Sequence, residues 1–239
     1  MNQAEQNVSI LRDPSLNVLI LAGGKSRRMG RDKALIQWQG ITFLERCAQV
    51  ALKISDLTAG DLKAGDRCDI VTPWPERYQP TLPPELLKRL HWCCDPQPGA
   101  GPPQAIAKLL TSAPATGFSW TLVLACDMPK LDPDLLRTWR SHLGGLSPDT
   151  IAYVPRWGDR WEPLCGFYRP QAGPLLQKFL DSGGRSLQSW LNTTPLIQPI
   201  PLSPEERTTL HNCNHPADLD SILEADDHKL INILDKYRP

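Results

Sequence analysis

The chain lacks an excess of charge of either sign: its 239 residues carry 26 Lys and Arg against 26 Asp and Glu. That balance argues against a broad electrostatic footprint for nucleic acid or an anionic membrane surface, so an anionic ligand must be held by a local cluster of cations. It also lacks any apolar run of membrane-spanning length. Its first sixteen residues, with Glu5, Arg12 and Asp13, hold no apolar stretch of signal-peptide size. There is no internal repeat and no low-complexity tract. The seven cysteines form neither paired C-x-x-C knuckles nor a regular disulfide framework. Their odd number and spacing point to free thiols in a reducing cytosol rather than to a zinc site or a secreted, cross-linked fold. The expectation is a cytoplasmic protein with no nucleic-acid and no membrane partner, and a flexible tail over residues 1–16.

What is present is an alternation of strand-like and helix-like runs. Residues 17–22 (NVLILA) are continuously apolar and stop at Gly23-Gly24, the pattern of a buried parallel strand feeding a loop. Residues 42–54 place Phe43, Leu44, Cys47, Val50, Ala51 and Ile54 at helical spacing, with Thr42 and Glu45 positioned as a capping box. Residues 68–72 (CDIVT) and 90–94 (LHWCC) are weaker strand candidates, and the prolines between them restrict that stretch to turns and one short helix. A helix is expected over 102–111, a second clear buried strand over 121–125 (TLVLA), and a helix from Asp132. Strands over 151–155 and 164–168 follow, then helices over 173–180, 186–191 and 216–235; the charged, glycine-rich segment 55–67 suits a surface connection. This order predicts a single domain over 17–239, a three-layer α/β/α, Rossmann-like fold around a mostly parallel sheet.

The chemistry concentrates after the first strand. Residues 21–33 (LAGGKSRRMGRDK) put Gly23, Gly24 and Gly30 among five cations, including Arg28 and Lys33. Glycines let backbone N–H groups approach phosphate oxygens while Arg and Lys neutralise charge, and the carboxyl end of a strand is where open α/β sheets bind ligands. The run is neither a P-loop nor a G-x-G-x-x-G fingerprint. Its plain alternative is a solvated basic turn. Asp127, just past the strand at 121–125, can hold Mg²⁺, a hard cation that takes oxygen ligands and keeps waters and substrate phosphates; the plain alternative is a turn or helix cap. Asp95 and Thr72 end the two weaker strands and so reach the same rim.

The run L-A-G-G-x-S-x-R-M-G-x-D-K-A-L over residues 21–35 resembles the signature of the molybdenum cofactor guanylyltransferases, within the GT-A-like nucleotidyltransferases. Related cytidylyltransferases show a differently spaced version without the pair that is Asp32-Lys33 here. The resemblance implies that Leu21, Ala22 and Gly23 touch the nucleotide through backbone and that Lys33 contacts phosphate. Cys126-Asp127-Met128-Pro129 resembles the family's C-D-x-P element, which implies Mg²⁺ and nucleotide on Asp127. By the same resemblance Asp95 binds nucleotide, as does Thr72, where the family commonly has Asn. Residues 99–106 stand in place of a G-P-L-A-G loop with Ala105 for its second glycine, and a Pro-Gly turn opening a helix explains them equally well. Residues 162–168 resemble a P-L-x-x-x-Y strand on the second-substrate side, with Arg156, Arg160 and Arg169 near enough in sequence to meet a pterin phosphate, although isolated arginines are more often solvated. Residues 211–219 resemble an N-x-N-T-P-x-D element with His215 for its threonine.

The activity so implied is transfer of GMP from GTP to the phosphate of molybdenum-molybdopterin, with release of pyrophosphate stabilised by Arg28 and Lys33. Cofactor-delivering chaperones or recipient molybdoenzymes are the implied protein partners. Two other readings stay open: a nucleotidyltransferase for another nucleotide or acceptor, and a non-catalytic nucleotide-binding protein on the same fold.

Overall fold

The computed structural model describes residues 14–24, 30–55, 66–113, 117–215 and 217–218. The first strand, β1 (Leu16–Leu21), starts inside the stretch expected as a tail. A hairpin of β2 (Gln37–Trp38) and β3 (Ile41–Thr42) leads into α1 (Phe43–Ile54). Then come β4 (Arg67–Val71), the short α2 (Pro75–Tyr78) and α3 (Pro84–Leu87), β5 (His91–Cys93), α4 (Pro102–Ser112), β6 (Trp120–Ala125) and α5 (Pro133–His142). The last described part holds β7 (Ala152–Trp157), β8 (Arg160–Trp161), β9 (Cys165–Tyr168), α6 (Ala172–Asp181), α7 (Leu187–Thr193), β10 (Ile197–Pro201) and α8 (Pro204–Thr209).

The main sheet runs β10-β7-β9-β6-β1-β4-β5, with β8 paired to β7. All neighbours along that path are parallel except β9, which is antiparallel to both β6 and β7. The sheet is therefore mostly parallel, as expected, with β9 and the short β8 reversed. Alternation along the strands feeds two cores. Leu122 and Leu124 of β6 join Val18 and Ile20 under α1 and α5, while Val123 faces Ile106 and Leu110 of α4 and Leu176 of α6. Helices thus cover both faces, the arrangement that lets strands such as β1 and β6 be buried on both sides.

Local signals hold with corrections, and the β2–β3 hairpin, β8 and α8 are elements the periodicity did not announce. Thr42 caps α1 by accepting from the Glu45 N–H at 3.1 Å, but the Glu45 carboxylate accepts from Gln49 instead of reaching back, so only half of the capping box is built. The proline-rich stretch carries two short helices, α2 and α3, each opened by a proline in its first turn. The β10 strand contains Pro199 and Pro201, tolerated because it lies at a sheet edge where a missing N–H costs no ladder bond. Apart from residues 217–218, which are helical, the expected helix over 216–235 lies outside the described residues, as does most of the connection 55–67. Among the described residues, no helix is long and apolar enough to cross a membrane, and all seven cysteines are free thiols.

Candidate active site

A cleft of about 610 Å³ opens at the carboxyl ends of β1, β4, β5 and β6, the edge at which open parallel sheets present their connecting loops to ligands. Leu21, Ala22 and Gly23 form one wall, Pro73 and Trp74 after β4 another, and Asp95 after β5 and Asp127 after β6 complete it. Gly23 has φ +127°, and a Cβ there would lie 2.8 Å from Pro73 Cδ. The position therefore demands glycine on two grounds, backbone conformation and close approach of the neighbouring loop.

Lys33 is the electrostatic centre. Its Nζ donates to Asp127 Oδ2 and to Asn214 Oδ1, both at 2.8 Å. Asp32 explains how it is aimed. One Asp32 oxygen accepts from the Ala34 N–H at 3.1 Å and caps the 3-10 turn at Lys33–Leu35; the other accepts from the Tyr78 hydroxyl at 2.8 Å and pairs with Arg77 at 3.1 Å. Burial first, and the adjoining Asp32 carboxylate second, push the Tyr78 phenol well above its ordinary value, so it stays a donor. Asp32 thus secures the backbone and Lys33 projects into the cleft.

Asp127 is anchored through its backbone, whose carbonyl accepts from the Cys213 N–H at 2.8 Å. Its Oδ1 is buried with no hydrogen-bond partner among the described residues. An orphaned, buried carboxylate oxygen is costly unless something fills it, and a hard divalent cation fits that donor. Among the described residues no cluster of three or more His, Cys, Asp or Glu surrounds it. A cation there would take most of its ligands from phosphates and water, the habit of Mg²⁺. Burial raises the neighbouring Cys126 thiol far above its usual value, so that cysteine stays protonated and is no nucleophile.

Asn214 also lines a second cavity of about 230 Å³, together with Trp157, Arg160, Glu162, Arg207, His211 and Asn212. The turn that presents Asn214 is tied by Asp218, whose Oδ2 accepts from the N–H groups of His215 at 2.8 Å and Asn214 at 2.7 Å. These bonds, the one from His215 first, hold the Asp218 carboxyl below its ordinary value.

The cleft thus brings together Leu21, Ala22, Gly23, Lys33, Asp95 and Asp127. It does not bring in Thr72, which is fully buried; its hydroxyl accepts from the Trp74 N–H at 3.2 Å, so a side chain too short to reach past its own turn serves that turn. Arg28 lies outside the described residues. Ala105 lines the cleft from the start of α4, its methyl standing where a closer backbone approach was in question. Arg169 sits at the opposite edge of the sheet, because β9 runs against β6; it covers the Trp120 ring at 4.7 Å and donates to the Ser147 and Pro148 carbonyls. Arg156 is held by the Gly158 carbonyl and Asp159, and Arg160 lines the second cavity. Sequence reasoning flagged the segments 162–168 and 211–219 but did not single out Asn214 as the partner of Lys33, nor Glu162 and Asn212 beside it. Trp157 and Arg207 it missed, with no local signal to find them.

A model of the MobA-like NTP transferase domain matches residues 18–195. The chain belongs to that family. A MobA-like NTP transferase is a nucleotidyltransferase, and the matched span carries Lys33, Asp95 and Asp127 but ends before the Asn212 to Asp218 turn. Over 214 residues the chain is 37% identical to the probable molybdenum cofactor guanylyltransferase of Trichormus variabilis, covering 86% of this MobA-like chain and 89% of that one. The fold matches the molybdopterin-guanine dinucleotide biosynthesis protein A of Archaeoglobus fulgidus with a TM-score of 0.64 at 22% identity, covering 89% and 99% of the two chains. A Mycobacterium tuberculosis protein solved in complex with manganese shares the fold at a TM-score of 0.52 and 13% identity, covering 82% and 98%.

Proposed function

We propose that the protein transfers GMP from GTP to the phosphate of molybdenum-molybdopterin, releasing pyrophosphate, with Mg²⁺ as its metal and the cytoplasm as its compartment. The observation that carries this reading is Lys33, a cation poised at the strand ends between Asp127 and Asn214. It is supported by the chain's identity to guanylyltransferases over most of its length.

In this reading the triphosphate lies along the backbone of Leu21, Ala22 and Gly23, which line the cleft. The acceptor phosphate is already anionic at neutral pH, so no general base is required. Its oxygen attacks the α-phosphorus in line, the bond to the bridging oxygen breaks, and pyrophosphate leaves with the electron pair. Lys33, with Arg28, neutralises charge on the departing oxygens. Asp127 would hold the metal, which would supply charge neutralisation on the phosphates. Asp95 faces the nucleoside from the far wall. Chaperones that deliver the cofactor, or molybdoenzymes that receive it, are the protein partners in this reading.

The test is pyrophosphate release with GTP, CTP, ATP and UTP, each with and without molybdopterin and Mg²⁺. Release confined to GTP with acceptor and metal is expected. Preference for CTP overturns the base assignment, and triphosphate binding without turnover in any combination overturns the reaction.

A further inference from the structure

Asn214 lines both the cleft and the smaller cavity, and the lining changes in character from one to the other. Trp157, at the end of β7, leaves 40% of its surface exposed, with the Arg207 guanidinium 5.4 Å from its ring centroid. Leu202 and Leu210 add apolar surface, and Arg160 stands at the rim. Glu162 projects between them with 24% of its side chain exposed. Its Oε2 accepts from Asn212 Nδ2 at 3.2 Å, while among the described residues Oε1 has the Arg160 Nε at 4.0 Å, too far for a hydrogen bond. Glu162 thus keeps an acceptor oxygen free to meet a donor from within the cavity it lines. Burial raises the Glu162 carboxyl above its ordinary value despite the bond from Asn212.

The cavity, at about 230 Å³, falls below the roughly 300–1,000 Å³ that encloses a drug-sized ligand. It suits one ring system rather than a nucleoside triphosphate. A flat aromatic wall beside a carboxylate with an acceptor oxygen free selects a planar heterocycle that presents adjacent N–H groups. The pterin of the acceptor has such an edge, its ring N–H beside the 2-amino group. We propose that the second cavity seats the pterin ring, with Glu162 accepting both N–H groups of that edge and Trp157 stacking on the ring, while the acceptor phosphate extends past Asn214 toward Lys33. This rests on the proposed function above. Guanine presents a similar edge, but its nucleotide is accounted for by the larger cleft on the other side of Asn214.

Glu162→Gln keeps size and removes one of the two acceptors, placing an amide donor against a ligand donor. Trp157→Ala removes the stacking wall. In each variant the full chain is assayed for kcat and for KM of GTP and of molybdopterin, and titrated with fluorescent 6-hydroxymethylpterin phosphate with and without saturating GTP. The expected result is a rise in molybdopterin KM of on the order of tenfold to a hundredfold, as for a mispaired polar contact in a binding site. KM for GTP is unchanged, and pterin binding to the wild type survives GTP but is weakened in both variants. An unchanged molybdopterin KM in active enzyme overturns the inference, as does a rise confined to the KM of GTP, which would make guanine the occupant. If the wild type gives no pyrophosphate with GTP and molybdopterin, the proposed function fails, and the titration still decides the cavity: binding lost in Glu162→Gln sustains the inference, while no binding, or binding displaced by GTP, overturns it.

Discussion

At the scale of single residues the site is a matter of where charge is left uncompensated. Asp127 offers one oxygen to Lys33 and keeps the other buried, with no hydrogen-bond partner among the described residues, which is why a cation and phosphates suit it. Asp127→Ala is expected to lower Mg²⁺-dependent pyrophosphate release by on the order of a hundredfold or more, comparable to removing a principal electrostatic contact; near-normal turnover would remove Asp127 from the site. Glu162 supplies a second residue-scale prediction. Burial raises its carboxyl, so ionisation costs more in the folded chain than in the unfolded one. Stability is therefore lost as pH rises from the ordinary carboxylate value through the raised one. Glu162→Gln, which cannot ionise, should melt at an equal or higher temperature than the wild type near pH 7, with that effect gone below about pH 4. Melting curves at the two pH values decide it, and a destabilised variant at pH 7 would mean that the ionised carboxylate is stabilising. Lys33 and Asp127 were legible in the sequence because each sits in a dense local motif. The Lys33 to Asn214 contact was not, since it joins residues 181 positions apart.

At the scale of elements, the loop after β1 depends on glycine. Gly23→Ala would force an L side chain into φ +127° and a methyl against Pro73 Cδ. Strain of this kind costs about 1–3 kcal/mol, and relief by moving the loop would withdraw backbone from the nucleotide. Lower stability in urea together with weaker GTP binding is expected; a variant with wild-type melting and affinity would show that the loop has slack. Buried strands and amphipathic helices were readable from periodicity, and their ends shifted by only a residue or two. The β2–β3 hairpin was not, because each strand is two residues long and its turn rests on Gln39 and Gly40, both at positive φ, without the Asn-Gly or Asp-Gly pair that marks such turns. The β10 strand escaped for a related reason: its prolines argue against a strand everywhere except at an edge, and edge position is a property of the sheet.

For the whole molecule, one buried polar knot joins the layers. Arg140 of α5 pairs with Asp66 at 2.9 Å and donates to the carbonyl of Ile54, the last residue of α1, while Asp66 accepts from the Leu16 N–H at the start of β1. Removing one partner strands the other charge in the interior, and Asp66→Ala should cost about 3–5 kcal/mol. Urea unfolding measures this directly, and a loss under about 1 kcal/mol, the worth of an exposed pair, would mean that Arg140 finds water. The sequence by itself determined the α/β class, the basic glycine loop, Lys33 and Asp127, because these rest on contacts between near neighbours and on apolar periodicity. Only the tertiary structure decided the rest. Reversal of β9 carries Arg169 to the far edge, the turn after β4 buries Thr72, and the Asn212 to Asp218 turn returns to complete the cleft and open the second cavity. Each depends on which strands pair and in which direction, a choice made by packing across the sheet rather than by any local run of residues.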